Sequence, residues 1–228
     1  LVKAVLARRI DAGLPLLFRT AADGNATVAA ESFRALAEMA GGDDAGRLLD
    51  LLIATRSDRV RREAEKAVLA AVRRIGNEQE RAEPLLAALN RAGDAEATAS
   101  VVRVLGSFGG RKALRALREV KRNVKEPAVQ DAVVRALAEF PSGDALRDVR
   151  EITRRPENDV HQALAVRGYA RMIALQAADR PTSETIADAR EVLELARSEE
   201  DRRRVLGELA EVKKPGVMAL VMPYLDDE

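Results

Sequence analysis

The stretch Val133-Val134-Arg135-Ala136-Leu137-Ala138-Glu139-Phe140 places apolar side chains at 134, 137 and 140, with alanine and charge between them. Apolar positions three or four residues apart form one face of an α-helix, whereas a strand alternates every second residue. The same face returns along the chain. Leu36, Val72, Leu105, Leu137, Tyr169 and Leu209 form one column, at successive separations of 36, 33, 32, 32 and 40 residues. Three positions earlier stand Phe33, Leu69, Val102, Val134, Val166 and Leu206. Three positions later stand Met39, Ile75, Phe108, Phe140, Met172 and Val212. All are apolar, so the period marks a repeated unit that contributes one buried helix face each time.

The residues beside each anchor are mostly small: Ala35, Ala71, Val104, Ala136 and Gly168 before it, Ala37, Gly106, Ala138, Ala170 and Ala210 after it. At about 100° per residue they point sideways and let neighbouring helices approach closely. Arg73 and Glu208 break this rule, so looser or differently capped junctions are expected there. Another helix precedes each of these, because Leu114, Leu117 and Val120 recur 32 residues later as Leu146, Val149 and Ile152. Glycine, proline, Asp, Asn and Ser at Asp23-Gly24, Gly41-Gly42, Gly76-Asn77, Gly93-Asp94, Gly109-Gly110, Pro141-Ser142-Gly143 and Pro181-Thr182-Ser183 read as helix stops and caps. They divide the chain into helix pairs expected near 11–40, 43–75, 77–108, 111–140, 142–177 and 183–212. The long step before Leu209 predicts a longer loop around Ala177–Ser183.

The expected fold is all-α: a single domain over 1–228, an α-solenoid superhelix of about six antiparallel pairs with a half-repeat at each end. Residues 1–9 read as a second helix without its first, and 214–225 as a first helix without its second. With Leu1 in place of an initiator Met, this implies a fragment of a longer chain, or ends that associate with another copy.

Val133-Val134-Arg135-Ala136-Leu137-Ala138 and Val102-Arg103-Val104-Leu105-Gly106 resemble HEAT repeats of the armadillo-like class, including the variant of phycobilisome-lyase-like families. Leu14-Pro15-Leu16-Leu17 and Glu83-Pro84-Leu85-Leu86 are similar to the family's proline-bearing first helix, and Asp58-Arg59-Val60-Arg61 to its inter-helix turn. The resemblance implies a binding scaffold whose second helices line a concave face. Fold is specified by it more closely than function, since such repeats serve many partners.

Composition narrows the chemistry. There is no Cys, which excludes disulfides, thiolate catalysis and cysteine-bound zinc. His161 is the single histidine, so no triad or multi-histidine metal site can form, and a structural or solvated role is expected for it. The resemblance includes iron-dependent hydroxylases with repeated His-Glu pairs, but Gln162 follows His161. It also includes HEAT-like DNA glycosylases, which rely on groove aromatics, notably Trp; this chain has none. Gly106-Ser107-Phe108-Gly109-Gly110-Arg111-Lys112 lacks the Ser or Thr a phosphate loop needs after its lysine and reads as a helix stop. Glu199-Glu200-Asp201 and Asp226-Asp227-Glu228 are ordinary for helix ends and solvated tails. No catalytic, cofactor-binding or metal-binding residue is assigned. No signal peptide and no run of about 20 apolar residues is visible, and the compartment is left open.

Two charged surfaces remain. Two positions before the anchor stand Arg34, Arg103, Arg135 and Arg167, a candidate partner-binding row continued by Arg171. Glu38 and Glu139 are placed to neutralise Arg34 and Arg135 as i,i+4 pairs, leaving the middle of the row less neutralised. The other surface is a basic stripe of Arg111, Lys112, Arg115, Arg118, Lys121, Arg122 and Lys125, with Leu114, Leu117 and Val120 opposite and Glu119 the only acid among them. These lead to three readings: a non-enzymatic scaffold for a protein or peptide, nucleic-acid or polyanion binding through 111–125, or a structural arm of a larger protein. A net charge of +1 argues against a generally basic nucleic-acid binder.

Overall fold

Alanine, leucine, arginine and glutamate lose little rotamer freedom in a helix, and the chain uses them in apolar runs closed by the predicted stops. The computed structural model describes residues 13–77 and 80–224; among these it has thirteen α-helices and no strand. In chain order they are α1 Leu14–Ala21, α2 Ala26–Met39, α3 Ala45–Ala54, α4 Asp58–Arg73, α5 Glu83–Arg91, α6 Ala95–Phe108 and α7 Gly110–Asn123. There follow α8 Pro127–Ala138, α9 Leu146–Arg154, α10 Asp159–Gln176, α11 Thr182–Leu195, α12 Glu199–Ala210 and α13 Pro215–Val221. The fold is an all-α solenoid of successive helix pairs. The reading of residues 1–9 lies outside the described residues.

Helix starts follow the expected chemistry. Asn25 accepts from the amides of Thr27 and Val28 at α2, Asp94 from Ala97 at α6, Asn158 from His161 at α10, and Ser198 from Asp201 at α12. Each satisfies amides that the first helical turn leaves without a partner. Gly109 and Gly110 both have positive φ, 81° and 83°, which stops α6 and reverses the chain into α7.

The chain divides into two compact units. One takes residues up to Phe108 together with Arg115–Val133, the other Gly109–Leu114 together with residues from Val134 onward. Within the first unit, second helices pack in sequence, α2 on α4 and α4 on α6, while first helix α3 packs on α5. Within the second, α10 packs on α12 and α11 on α13, with α9 and α11 both against α10. Every anchor, from Leu36 to Leu209, is fully buried. The column three residues earlier is buried at Phe33, Val102, Val134 and Val166, but Leu69 and Leu206 are half-exposed. In α12 the buried side chains are Asp201, Val205 and Leu209, four residues apart along one face.

The small residues do bring helices close. A Cβ added at Gly168 would stand 2.7 Å from Ala138 Cα and 2.9 Å from its Cβ and O. The long step before Leu209 corrects one expectation. The extra residues lengthen the helices, with 18 residues in α10 and 14 in α11 against 9 in α9, and the connection after α10 stays short. Helical extension satisfies one backbone hydrogen bond per added residue, which a longer loop would leave to solvent.

Candidate functional site

The arginine row is exposed to different degrees and is held by partners the sequence did not indicate. In the first unit Arg34 bonds to Glu31 on its own helix and to Glu63 on α4, not to Glu38. Arg103 reaches Glu65 on α4 with Nε at 2.9 Å and Nη2 at 2.8 Å. In the second unit Arg167 clasps Asp201 on α12 with Nε at 3.1 Å and Nη2 at 3.0 Å. Arg103 and Arg167 are therefore neutralised by the adjacent second helix, which corrects the i,i+4 expectation. Arg135 is exposed, and its side chain forms no ion pair or hydrogen bond among the described residues.

The electrostatics follow this geometry. Burial tends to push the Glu63 carboxyl up, but hydrogen bonds from Arg34 and Lys66 outweigh it and hold the group below the usual carboxylate range. Arg34 is held above its ordinary value by Glu63.

Arg171 has another role. Its Nη2 donates to Ala138 O at 3.0 Å and Phe140 O at 2.6 Å, satisfying carbonyls at the end of α8. Arg74, also two positions after its anchor, does the same for Ala40 O at the end of α2, at 2.7 Å. Arg73, expected to mark an unusual junction, donates to Ser107 O. Glutamines add to this capping. Gln130 donates to Lys121 O and Val124 O, and Gln162, 32 residues on, to Leu195 O. Arginine at anchor plus two, and glutamine at anchor minus seven, are the sequence signals that could have exposed these caps.

Tyr169 takes an anchor position that leucine or valine fills elsewhere, so its hydroxyl needs a partner inside the core. It lies 3.0 Å from Asp188 Oδ1 and 3.2 Å from Glu191 Oε2 on α11. Arg150 and Arg154 from α9 reach Glu191, and Arg150 and Arg180 reach Asp188. Burial, reinforced by the charges of Asp188 and Glu191, pushes the Tyr169 hydroxyl pKa far up. Glu191 is raised by burial but held below its ordinary range by Arg154 and Arg150. The network fastens α9, α10 and α11 to one another. Neither Tyr169 nor Glu191 is poised to exchange a proton at neutral pH. His161, 2% exposed, is packed into the start of α10.

On the second-helix face of the second unit there is a shallow cleft of about 380 Å³, lined by Arg167, Arg204, Gly207, Glu208 and Glu211. Gly207 holds the row position here, and its missing side chain opens the cleft. On α7, by contrast, Ala113, Leu114, Ala116, Leu117 and Val120 are buried, while Arg111, Lys112, Arg115, Arg118, Arg122 and, beyond its end, Lys125 are exposed and Lys121 half-exposed. Arg111 and Lys112 fall to the second unit, the others to the first. No group of three or more acidic or histidine side chains able to hold a metal occurs among the described residues, and no helix there is long and apolar enough to cross a membrane.

Residues 82–170 match the family model described as HEAT repeats, which supports the resemblance drawn from the repeat columns. No curated protein and no solved structure matches the chain. HEAT repeats are generally protein-interaction scaffolds, and the fold is typically non-enzymatic.

Proposed function

We propose that this HEAT-repeat chain is a non-enzymatic scaffold that binds a protein or peptide partner along its second helices. The observation carrying the proposal is the composition of that face. Beneath it the anchors are uniformly apolar and buried. On it, charged side chains are held between consecutive helices at Arg34–Glu63, Arg103–Glu65 and Arg167–Asp201. Side chains fixed by such pairs lose little further entropy when a partner docks, so a preorganised pattern of alternating charge favours selectivity. The cleft at Arg167, Arg204 and Gly207 supplies a recess of mixed charge into which a partner side chain fits.

A peptide array probed with the wild-type chain and with Gly207→Trp tests this. The tryptophan fills the cleft at a position where no atom lies within 4 Å of an added Cβ, so folding is spared. The expected result is a set of peptides bound by the wild type and lost with Gly207→Trp. An array that binds nothing, or binds equally to both, refutes the reading and favours the structural-arm alternative.

A further inference from the structure

Arg34, Arg103 and Arg167 of the second-helix row are engaged by carboxylates, whereas much of the α7 stripe is not. Arg115, Lys121, Arg122 and Lys125 form no side-chain hydrogen bond or ion pair among the described residues. All four, with Arg118, lie in the first unit. Arg115, Arg118 and Arg122 are on the side of α7 opposite buried Ala116, Leu117 and Val120, half-exposed Lys121 stands at its flank, and Lys125 follows beyond the helix end. From Arg115 to Arg122 the line runs about 10 Å at ~1.5 Å per residue. Its only acidic neighbours in sequence are Glu119 and Glu126. We infer that this line docks an acidic peptide segment of a protein partner, on a surface separate from the second-helix face.

Three properties favour a peptide over nucleic acid. The line is one helix wide and offers about four unpaired cations, below the roughly 6–10 phosphate contacts that give duplex binding its affinity. No aromatic residue lies between Phe108 and Phe140, so there is no platform on which single-stranded bases could stack. The whole chain carries a charge of +1, so it has no extended positive field to draw a polyanion. Carboxylates suit the line well. Arginines at 115 and 122 are seven residues apart, the two-turn spacing at which glutamates on a partner helix share one face. Guanidinium and carboxylate meet through paired hydrogen bonds.

The test is fluorescence anisotropy at about 50 mM salt, where screening is weak. The probes are a labelled helical peptide with glutamates at i, i+3, i+7 and i+10 in an alanine background, its glutamine counterpart, a DNA duplex and a single-stranded oligonucleotide. The proteins are the wild type, Arg115→Glu/Arg122→Glu, the milder Arg115→Gln/Arg122→Gln, and Arg203→Glu as a reversal elsewhere on the exposed surface. The expected result is binding of the glutamate peptide alone, weakened roughly tenfold or more by the double reversal, less by the glutamine pair, and unchanged in Arg203→Glu. The inference is overturned if a nucleic acid binds more tightly than the peptide, if the glutamine peptide binds equally, if neither double variant changes affinity, or if no peptide binding occurs. Failure on these outcomes leaves the second-helix reading untouched, since neither double variant alters a residue of that face.

Discussion

Replacing Gly168 by alanine sets two effects of known sign against each other. In the interior of a helix, alanine is favoured over glycine by about 1 kcal/mol, because glycine loses more backbone entropy. At Gly168 the added methyl would sit 2.7 Å from Ala138 Cα and 2.9 Å from its carbonyl oxygen. Carbon atoms in ordinary contact are ~3.5–4.0 Å apart, so the shortfall is about 0.8 Å or more. Because the obstacle includes backbone, no rotamer change relieves it and the two helices must separate. Overpacking of this kind costs about 1–3 kcal/mol, so the steric term outweighs the propensity gain and the variant should lose up to about 2 kcal/mol. Gly207→Ala is the matched control: it also lies inside a helix, yet nothing stands within 4 Å of the added methyl. It should gain up to about 1 kcal/mol. Urea unfolding followed by circular dichroism reads both, as midpoint shifts of opposite sign with unchanged slope. A Gly168→Ala variant as stable as the wild type would refute the close packing of α8 and α10.

Arg171→Met should destabilise by about 1–3 kcal/mol, since the carbonyls of Ala138 and Phe140 lose a charged donor. Arg135→Met, at an exposed position, should stay within about 0.5 kcal/mol of the wild type in the same urea assay. Glu191 has a lowered folded pKa, so its pairing contributes stability that is fully present above the ordinary carboxylate value of 4.5 and is lost as pH falls through the folded value. The stability gap between the wild type and Glu191→Gln, measured from pH 7 to pH 3, should therefore be constant at first and narrow below about 4.5; a gap that widens in acid contradicts the network. Arg61 is buried, its Nε has no partner, and its Nη1 makes one 3.3 Å bond to Ser100, whose hydroxyl Arg103 also reaches. Arg61→Met should be neutral or stabilising, because an apolar chain of similar length avoids desolvating a charge. A loss above about 2 kcal/mol would show that the guanidinium contributes more than its visible bonds.

The repeat was legible in sequence because burial has a period: Leu36, Leu105 and Leu137 must all face inward, and the spacing between them is visible without knowing what they touch. The partners of the arginines have no such period. Glu63 answers Arg34 from 29 residues away, Glu65 answers Arg103 from 38, and Asp201 answers Arg167 from 34. Those pairings depend on how adjacent second helices are rotated, which local spacing does not encode. The inverted case is Tyr169. Its ring kept the anchor pattern intact, while its hydroxyl gathered Asp188, Glu191, Arg150 and Arg180 into a part-buried network that composition alone would place on the surface. Asp201 likewise reads as one of three helix-start acids, yet only it turns inward.

The turn at Gly109-Gly110 has a consequence at the level of the gene. Both residues hold φ near +80°, a conformation that costs an L-residue with a side chain about 1–2 kcal/mol, and a Cβ at Gly109 would also press on Pro141 at 3.0 Å. Every glycine codon begins with two guanines, so a change in either base of either codon replaces glycine with a residue the turn resists or with a stop. Third-base changes are silent. Drift at this turn is therefore confined to synonymous substitution, unlike the exposed glycines at 24, 46 and 207, where a methyl meets no atom and the backbone has the ordinary hand.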